Sequence, residues 1–506
     1  MRAFPAVSLL PLFALAAVVA APAQGRGPMT PAQQRYRRAM ETADLAIQKE
    51  NRDHSQLMRN EEYLTTEIGP RLTGGPNMQA ASAWTLQRFQ DYGLDAHLET
   101  TQVPHAWYPG ICTAELISPW DKVIPIAAEG WSKATPGAVT GPVVVLAPGE
   151  TPDPAKLQGA IVLLGPPNDR NLDPAYVARN AYNSVIVPPA GVPAPGGRGG
   201  FFLGRFLAPG RPSPLAGAAV ILVDSGKPWN LFSIGGAGRY APSAIPTATI
   251  SHEDYSLLYR MATDYPNNPK PMTMRVSLGG TFSPGPEDAS ITVAQIKGSE
   301  WPDQQVIIGG HLDSWYLGQG AVDNGTGAMS VLEAARILKS LGWQPKRTLT
   351  FILFTGEEEG GVGVQKFIAD HKAEMPNVDA VLVDDTGTGR IQSISLENFP
   401  ETLPALQQVY TPLQEVFGLG PITTEYFGSS DHVAFQRQGI AAYFAEQAPA
   451  YYREEHHSQT DTFDKVIPRQ VNEGAAVIAA WMWNASQLDQ KFPHHAVTPA
   501  PARGGR

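Results

Sequence analysis

Cysteine is almost absent: Cys112 is the only one among 506 residues. An intrachain disulfide is therefore impossible, and a structural metal held by several thiolates is excluded with it. Any metal site has to draw on histidine, aspartate and glutamate. Basic charge is in deficit as well. Lys and Arg number 38 against 48 Asp and Glu, a formal net charge of -10, which disfavours nucleic acid and anionic membranes as partners. Long apolar runs are missing except at the start. There Arg2 precedes an apolar stretch over 7–20, broken only by Ser8 and Pro11, and Ala21-Pro22-Ala23 offers a small-x-small cleavage site before Gln24. The stretch is short for a bilayer span and no stop-transfer charge cluster follows. Residues 1–23 read as a cleaved secretory signal peptide, and no cysteine stands ready for a lipid anchor. The expectation is a secreted or periplasmic protein with no membrane attachment after cleavage.

Glycine (49) and proline (46) are plentiful, which suits a loop-rich chain long enough for two or more domains. Residues 31–60 read as helix, 77–89 as a second helix capped near Asn77, and 95–103 alternates like a strand. The pattern then changes. Over 113–274, short β-like runs are separated by Pro and Gly, and 188–214 reads as a long loop or lid. This stretch looks like a β-rich domain inserted into the first one. From about residue 290, strands alternate with helices again, as in a mostly parallel sheet covered on both faces. The domain plan is then 30–112 with 275–490, an insertion at 113–274, and a frayed tail at 491–506.

The chemistry sits at the strand ends. Gly309-Gly310-His311-Leu312-Asp313 follows the apolar run 305–308, and Thr355-Gly356-Glu357-Glu358-Glu359-Gly360 follows 348–354. In an open parallel sheet, ligands bind at the carboxyl ends of strands. His311 and Asp313, two apart, point to one side of an extended chain; one can bind metal while the other accepts the proton on the far ring nitrogen or orients a neighbour. Asp323 stands in a Gly-flanked turn before a helix, where it can cap the helix, bridge two metals, or do both. Glu357 and Glu358 suit a division between metal binding and deprotonation of an attacking water. Asp384-Asp385 ends a third strand, and His456-His457 follows a fourth. Imidazole and carboxylate donors together suit zinc and similar divalent ions, so the residues point to a metal-dependent hydrolase.

The ordered set His311-x-Asp313, Asp323, Glu357-Glu358, Asp385 and His457 resembles the M28 family of dinuclear zinc exopeptidases, over about residues 35–490. The strings Ile68-Gly69-Pro70-Arg71-Leu72-Thr73-Gly74, Gly310-His311-Leu312-Asp313-Ser314-Trp315 and His456-His457-Ser458 resemble its carboxypeptidase Q branch. The insertion resembles a protease-associated (PA) domain through 156–164 and 245–251. The resemblance implies an α/β fold with a mostly parallel mixed sheet sandwiched by helices. It also implies two zinc ions per chain and a peptide substrate, and it makes a homodimer an expectation. In that scheme His311 and Asp385 bind one zinc, Glu358 and His457 the other, and Asp323 bridges them. Glu357 is the general base, and Asp313 supports His311. Asp384 and His456 are the neighbouring alternatives to Asp385 and His457. Two other classes share the fold: a non-enzymatic, transferrin-receptor-like protein, which would lack ligands, and a single-zinc glutaminyl cyclase.

Overall fold

The computed structural model describes residues 30–168 and 213–495. The signal peptide expected at 1–23, most of the loop expected at 188–214, and residues 496–506 lie outside the described residues.

Seven strands form the main sheet: β1 (Asp95–Val103), β2 (Glu287–Ile296), β3 (Trp301–His311), β4 (Arg347–Phe354), β5 (Val378–Val383), β6 (Ile391–Ser395) and β7 (Ala442–Gln447). Their order is β1-β2-β4-β3-β5-β7-β6. The inner strands β4, β3, β5 and β7 run parallel, while β1, β2 and β6 join antiparallel. Strands β4 and β5 are buried at every residue, as strands covered on both faces must be. Alternation divides their side chains. Val306, Ile308, Phe351, Leu353, Ala380 and Leu382 enter one core, while Ile307, Ile352, Phe354, Val381 and Val383 enter the other.

The first core lies under α1 (Pro31–His54), α2 (Pro76–Asp91), α3 (Thr326–Ser340), α5 (Leu403–Phe417) and α6 (Pro468–Ser486). The second lies under α4 (Val362–Asp370), with Phe427 and Phe435. Among the described residues, no helix is long and apolar enough to cross a membrane.

Strands between residues 113 and 277 build a separate eight-stranded sheet. Its centre, Val139–Leu146, Ile161–Leu164, Val220–Asp224 and Thr247–Ile250, is parallel, and its core is distinct. A two-stranded ribbon, Trp107–Pro109 against Gly280–Phe282, lies where the chain leaves the main sheet and returns. Beside it Trp107, Trp131, Tyr240 and Trp315 pack as one aromatic cluster, with Trp131 5.3 Å from the Tyr240 ring and 6.5 Å from Trp315. This cluster joins the second sheet to the loop that follows β3.

Three expectations need correction. The first helix stops at His54 rather than running to 60, because Ser55 turns extended (ψ 137°); Asn60 belongs to the next helix, Leu57–Glu62. The second helix is capped by Gly75, and the Asn77 amide donates instead to the Pro70 carbonyl (2.9 Å). Fraying does not begin at 491: Phe492 is buried, its N–H meets Asp379 Oδ1 at 2.8 Å, and His495 stacks on Phe399.

Candidate active site

The parallel strands end along one rim, and each predicted site residue stands there for a local reason. His311 is the last residue of β3, in register with Phe354 of β4. Close packing accounts for the two glycines before it: a Cβ at Gly309 would come within 2.4 Å of the Phe354 ring, and one at Gly310 would be a tight fit, 3.1 Å from Gly327 at the start of α3. The turn 321–325, just before α3, carries Asp323. Glu357 and Glu358 follow β4, Asp385 follows β5, and His457 lies in the segment after β7.

These side chains converge. His311 Nε2 is 3.1 Å from Asp385 Oδ1 and 3.4 Å from Asp323 Oδ1. His457 Nε2 is 2.9 Å from Glu358 Oε2 and 3.5 Å from Asp323 Oδ2. The two oxygens of Asp323 therefore face two different donor groups. Asp323 is not the helix cap; Asn324 takes that part, accepting the Gly327 N–H at 3.0 Å.

Neighbouring alternatives fall differently. The Asp384 carboxylate is buried without a hydrogen bond among the described residues, and only Asp385 reaches His311. His456 stays close: its ring stacks on His457 with centroids 3.7 Å apart, and its Nε2 is 3.7 Å from Asp323 Oδ2. Asp313 acts otherwise than by holding the imidazole with its carboxylate. The His311 Nδ1 contact at hydrogen-bond distance is the Asp313 carbonyl, 3.0 Å; the carboxylate is 3.7 Å away. That carboxylate accepts the N–H groups of Glu357 (3.3 Å) and Glu358 (3.2 Å), so it sets the glutamate turn. Glu359 points away from the donor groups, accepting from Thr73 Oγ1 at 2.9 Å and Tyr240 OH at 3.3 Å.

Several supporting residues carry no local signal in the sequence. Arg71 is fully buried and donates to the carbonyls of Leu312 (2.6 Å), Gly69 (3.1 Å), Gln319 (2.9 Å) and Gly320 (2.6 Å). It clamps the loop between Asp313 and Asp323. Asp461 accepts the N–H groups of Val322 (2.6 Å) and Asp323 (3.3 Å), tying the His457 segment to the Asp323 turn. Tyr452 places its hydroxyl 3.4 Å from Asp323 Oδ1.

The electrostatics fit a cation. Burial pushes Glu357 up to about 8, with His311 opposing and Asp385 adding to the rise. Burial and then Asp323 lift Glu358 well above the usual carboxylate range, and burial raises Asp385 as well. Burial drives His457 down to about 4, leaving a neutral imidazole of the kind that ligates metal. Asp323 Oδ2 and Glu358 Oε1 are buried without hydrogen bonds among the described residues. Such atoms are costly unless something positive meets them. Nitrogen and carboxylate donors in this arrangement suit a divalent ion of the zinc type.

Fold and site together define a metallopeptidase. The family model "Peptidase family M28" matches residues 292–482. Carboxypeptidase Q of Xenopus laevis is 30% identical over 464 residues, covering 89% of this chain and 89% of that protein. Its Mus musculus counterpart is 29% identical over 459 residues, covering 88% of this chain and 87% of that protein. Among solved structures, a peptidase M28 precursor from Shewanella amazonensis superposes with a TM-score of 0.74 at 24% identity, covering 91% of this chain and all of that one. The chain belongs to peptidase family M28.

The Arg71 clamp makes a prediction. Arg71→Lys keeps the charge but cannot serve four carbonyls at once, so it should destabilise the protein by about 3–5 kcal/mol, read from the shift of the urea unfolding midpoint. A wild-type midpoint would mean that charge alone suffices there.

Proposed function

We propose that the protein is an exported, dinuclear zinc exopeptidase acting on dipeptides or short peptides with a free N-terminus. The observation that carries this reading is the division of Asp323, with Oδ1 3.4 Å from His311 and Oδ2 3.5 Å from His457. In this reading His311 and Asp385 hold one ion, Glu358 and His457 hold the other, and Asp323 is shared. When bound, the two ions supply a Lewis acid for the peptide carbonyl and an acidified water.

The chain's own residues do the rest. Glu357 stands on the same turn as Glu358 and is the general base, taking the proton of the attacking water and passing it to the leaving amine. Asp313 fixes that turn through two N–H groups, and Arg71 and Asp461 fix the Asp323 turn. The segment 113–274 is read as a PA domain that restricts access to the site. The N-terminal segment is read as an export signal, which places the enzyme outside the cytoplasm.

Selectivity for a free α-amino group follows from charge. Asp323, Glu357, Glu358 and Asp385 crowd one rim, and Asp431 adds a carboxylate buried without a hydrogen bond among the described residues. An ammonium beside these acids is favoured, whereas a neutral acetamide desolvates them without compensation.

Two measurements check this reading. Glu357→Gln should lower turnover by roughly 10²–10⁴-fold while metal content stays near wild type; a loss under about tenfold would place the base elsewhere. On the metal-loaded protein, a free dipeptide should be hydrolysed and its N-acetyl form should not. Equal rates on the two would remove the selectivity for a free N-terminus.

A further inference from the structure

The two halves of the site are held differently. His311 and Asp385 stand at the ends of β3 and β5, and among the described residues no hydrogen bond reaches either of them from the second sheet. Glu358 and His457, by contrast, lie on two segments that one loop of that sheet, residues 225–240, touches. At the start of the loop, buried Lys227 donates to the carbonyls of Glu454 (3.3 Å) and His456. The Ile234 N–H meets the His457 carbonyl at 3.1 Å. Between these, the Phe232 N–H meets Gln459 Oε1 at 2.9 Å, and the Gln459 amide donates to the Asn230 carbonyl at 3.0 Å. At the far end, the Tyr240 hydroxyl is 3.3 Å from Glu359 Oε2, and a Cβ at Gly356 would stand 2.6 Å from that hydroxyl.

The loop is itself tied down. The Ser225 N–H meets the Ile250 carbonyl at 3.1 Å, and its hydroxyl donates to the Leu231 carbonyl at 2.8 Å. The Glu253 carboxylate accepts the N–H groups of Trp229 (2.6 Å) and Asn230 (3.1 Å). Lys227 is the costly member. A buried ammonium loses its water, and both hydrogen bonds it makes among the described residues go to the His457 segment. His457 has φ 60°, a backbone that a residue with a Cβ keeps only when its surroundings hold it there.

We propose that Lys227 is a positioning residue through which the second sheet sets the metal affinity of the Glu358–His457 half of the site, while the His311–Asp385 half is independent of that sheet. The inference rests on reading Glu358 and His457 as ligands of one of two ions. A ligand already held in its binding geometry need not be ordered when the ion arrives. Coupling of this kind is reciprocal: the ion that gains from the docked loop must in turn hold the loop in place.

The test titrates zinc into the metal-free protein against a competing chelator, for the wild type, Lys227→Met, Tyr240→Phe and Tyr255→Phe. Tyr255 lies in the core of the second sheet and donates to the Gly165 carbonyl at 3.0 Å, so its variant reports general weakening of that sheet. In Lys227→Met one equivalent should keep its wild-type affinity and the other should weaken by about 10–100-fold. Tyr240→Phe should weaken the same equivalent by less, and it carries the test if Lys227→Met does not fold. Tyr255→Phe should change neither. Hydrogen exchange identifies the equivalent: in the wild type, the one that slows exchange over 225–240 should be the one the variants weaken. Unchanged affinities in Lys227→Met overturn the proposal. So does equal weakening of both equivalents, or an effect of Tyr255→Phe as large as that of Lys227→Met. A wild type that takes up one equivalent would remove the dinuclear reading instead. Exchange over 452–461 in the metal-free protein then decides the brace: faster exchange in Lys227→Met upholds it, and equal exchange overturns it.

Discussion

Carboxylates gathered in a dry pocket repel one another, and the arrangement of this rim answers that repulsion. Asp323, Glu358 and Asp385 meet within hydrogen-bonding reach of two imidazoles, with Glu357 beside them. Nothing in a folded chain holds such a group together cheaply; burying an uncompensated charge costs several kcal/mol. The chain spends unusual effort on it. Arg71 contributes a buried guanidinium to the loop behind the site. Asp461 aligns two backbone N–H groups under Asp323. Asp313 aligns two more under the glutamate turn. What remains is a deficit of positive charge at the centre, which is the property that makes a binding site for divalent ions.

The second sheet takes part in this. His457 adopts a left-handed backbone (φ 60°), a conformation that disfavours a side chain. Two residues from the second sheet's loop hold the backbone there: the Ile234 N–H meets the His457 carbonyl at 3.1 Å, and Lys227 takes the carbonyl before it. Tyr240, from the same loop, pulls Glu359 away from the donor groups. The ring of Trp315, on the loop after β3, lies edge-on to His457 at 5.8 Å and packs into the aromatic cluster with Trp131. The peptidase centre is therefore completed by a segment that is not part of the main sheet.

Much of this was legible because the signals are local. An apolar strand followed at once by His311, Glu357-Glu358 or Asp385 places chemistry at a strand end without further information. The alternation over 95–103 matches the observed strand, and the change of rhythm near 113 marks the start of a separate sheet. Other features have partners far along the chain. Arg71 reaches carbonyls some 241 to 249 residues away, Tyr240 meets Glu359 across 119, and no periodicity encodes such contacts. Glu357, Glu358 and Glu359 are chemically identical in sequence; Thr73 and Tyr240 decide which one turns away. Asp313 divides its work between a carbonyl on His311 and a carboxylate on the glutamate turn, a distinction invisible to a residue letter. Helix ends moved for a local reason: the Asn77 amide donates to the Pro70 carbonyl seven residues back, and Gly75 takes the cap.

The central claim is that one carboxylate serves two ions. Anomalous diffraction at the zinc edge, on crystals of the zinc-loaded protein, tests it directly. The account predicts two peaks of comparable height on either side of Asp323, separated by roughly 3.5–4 Å, one beside His311 and Asp385 and the other beside Glu358 and His457. A single peak, or a second one away from Asp323, would contradict it.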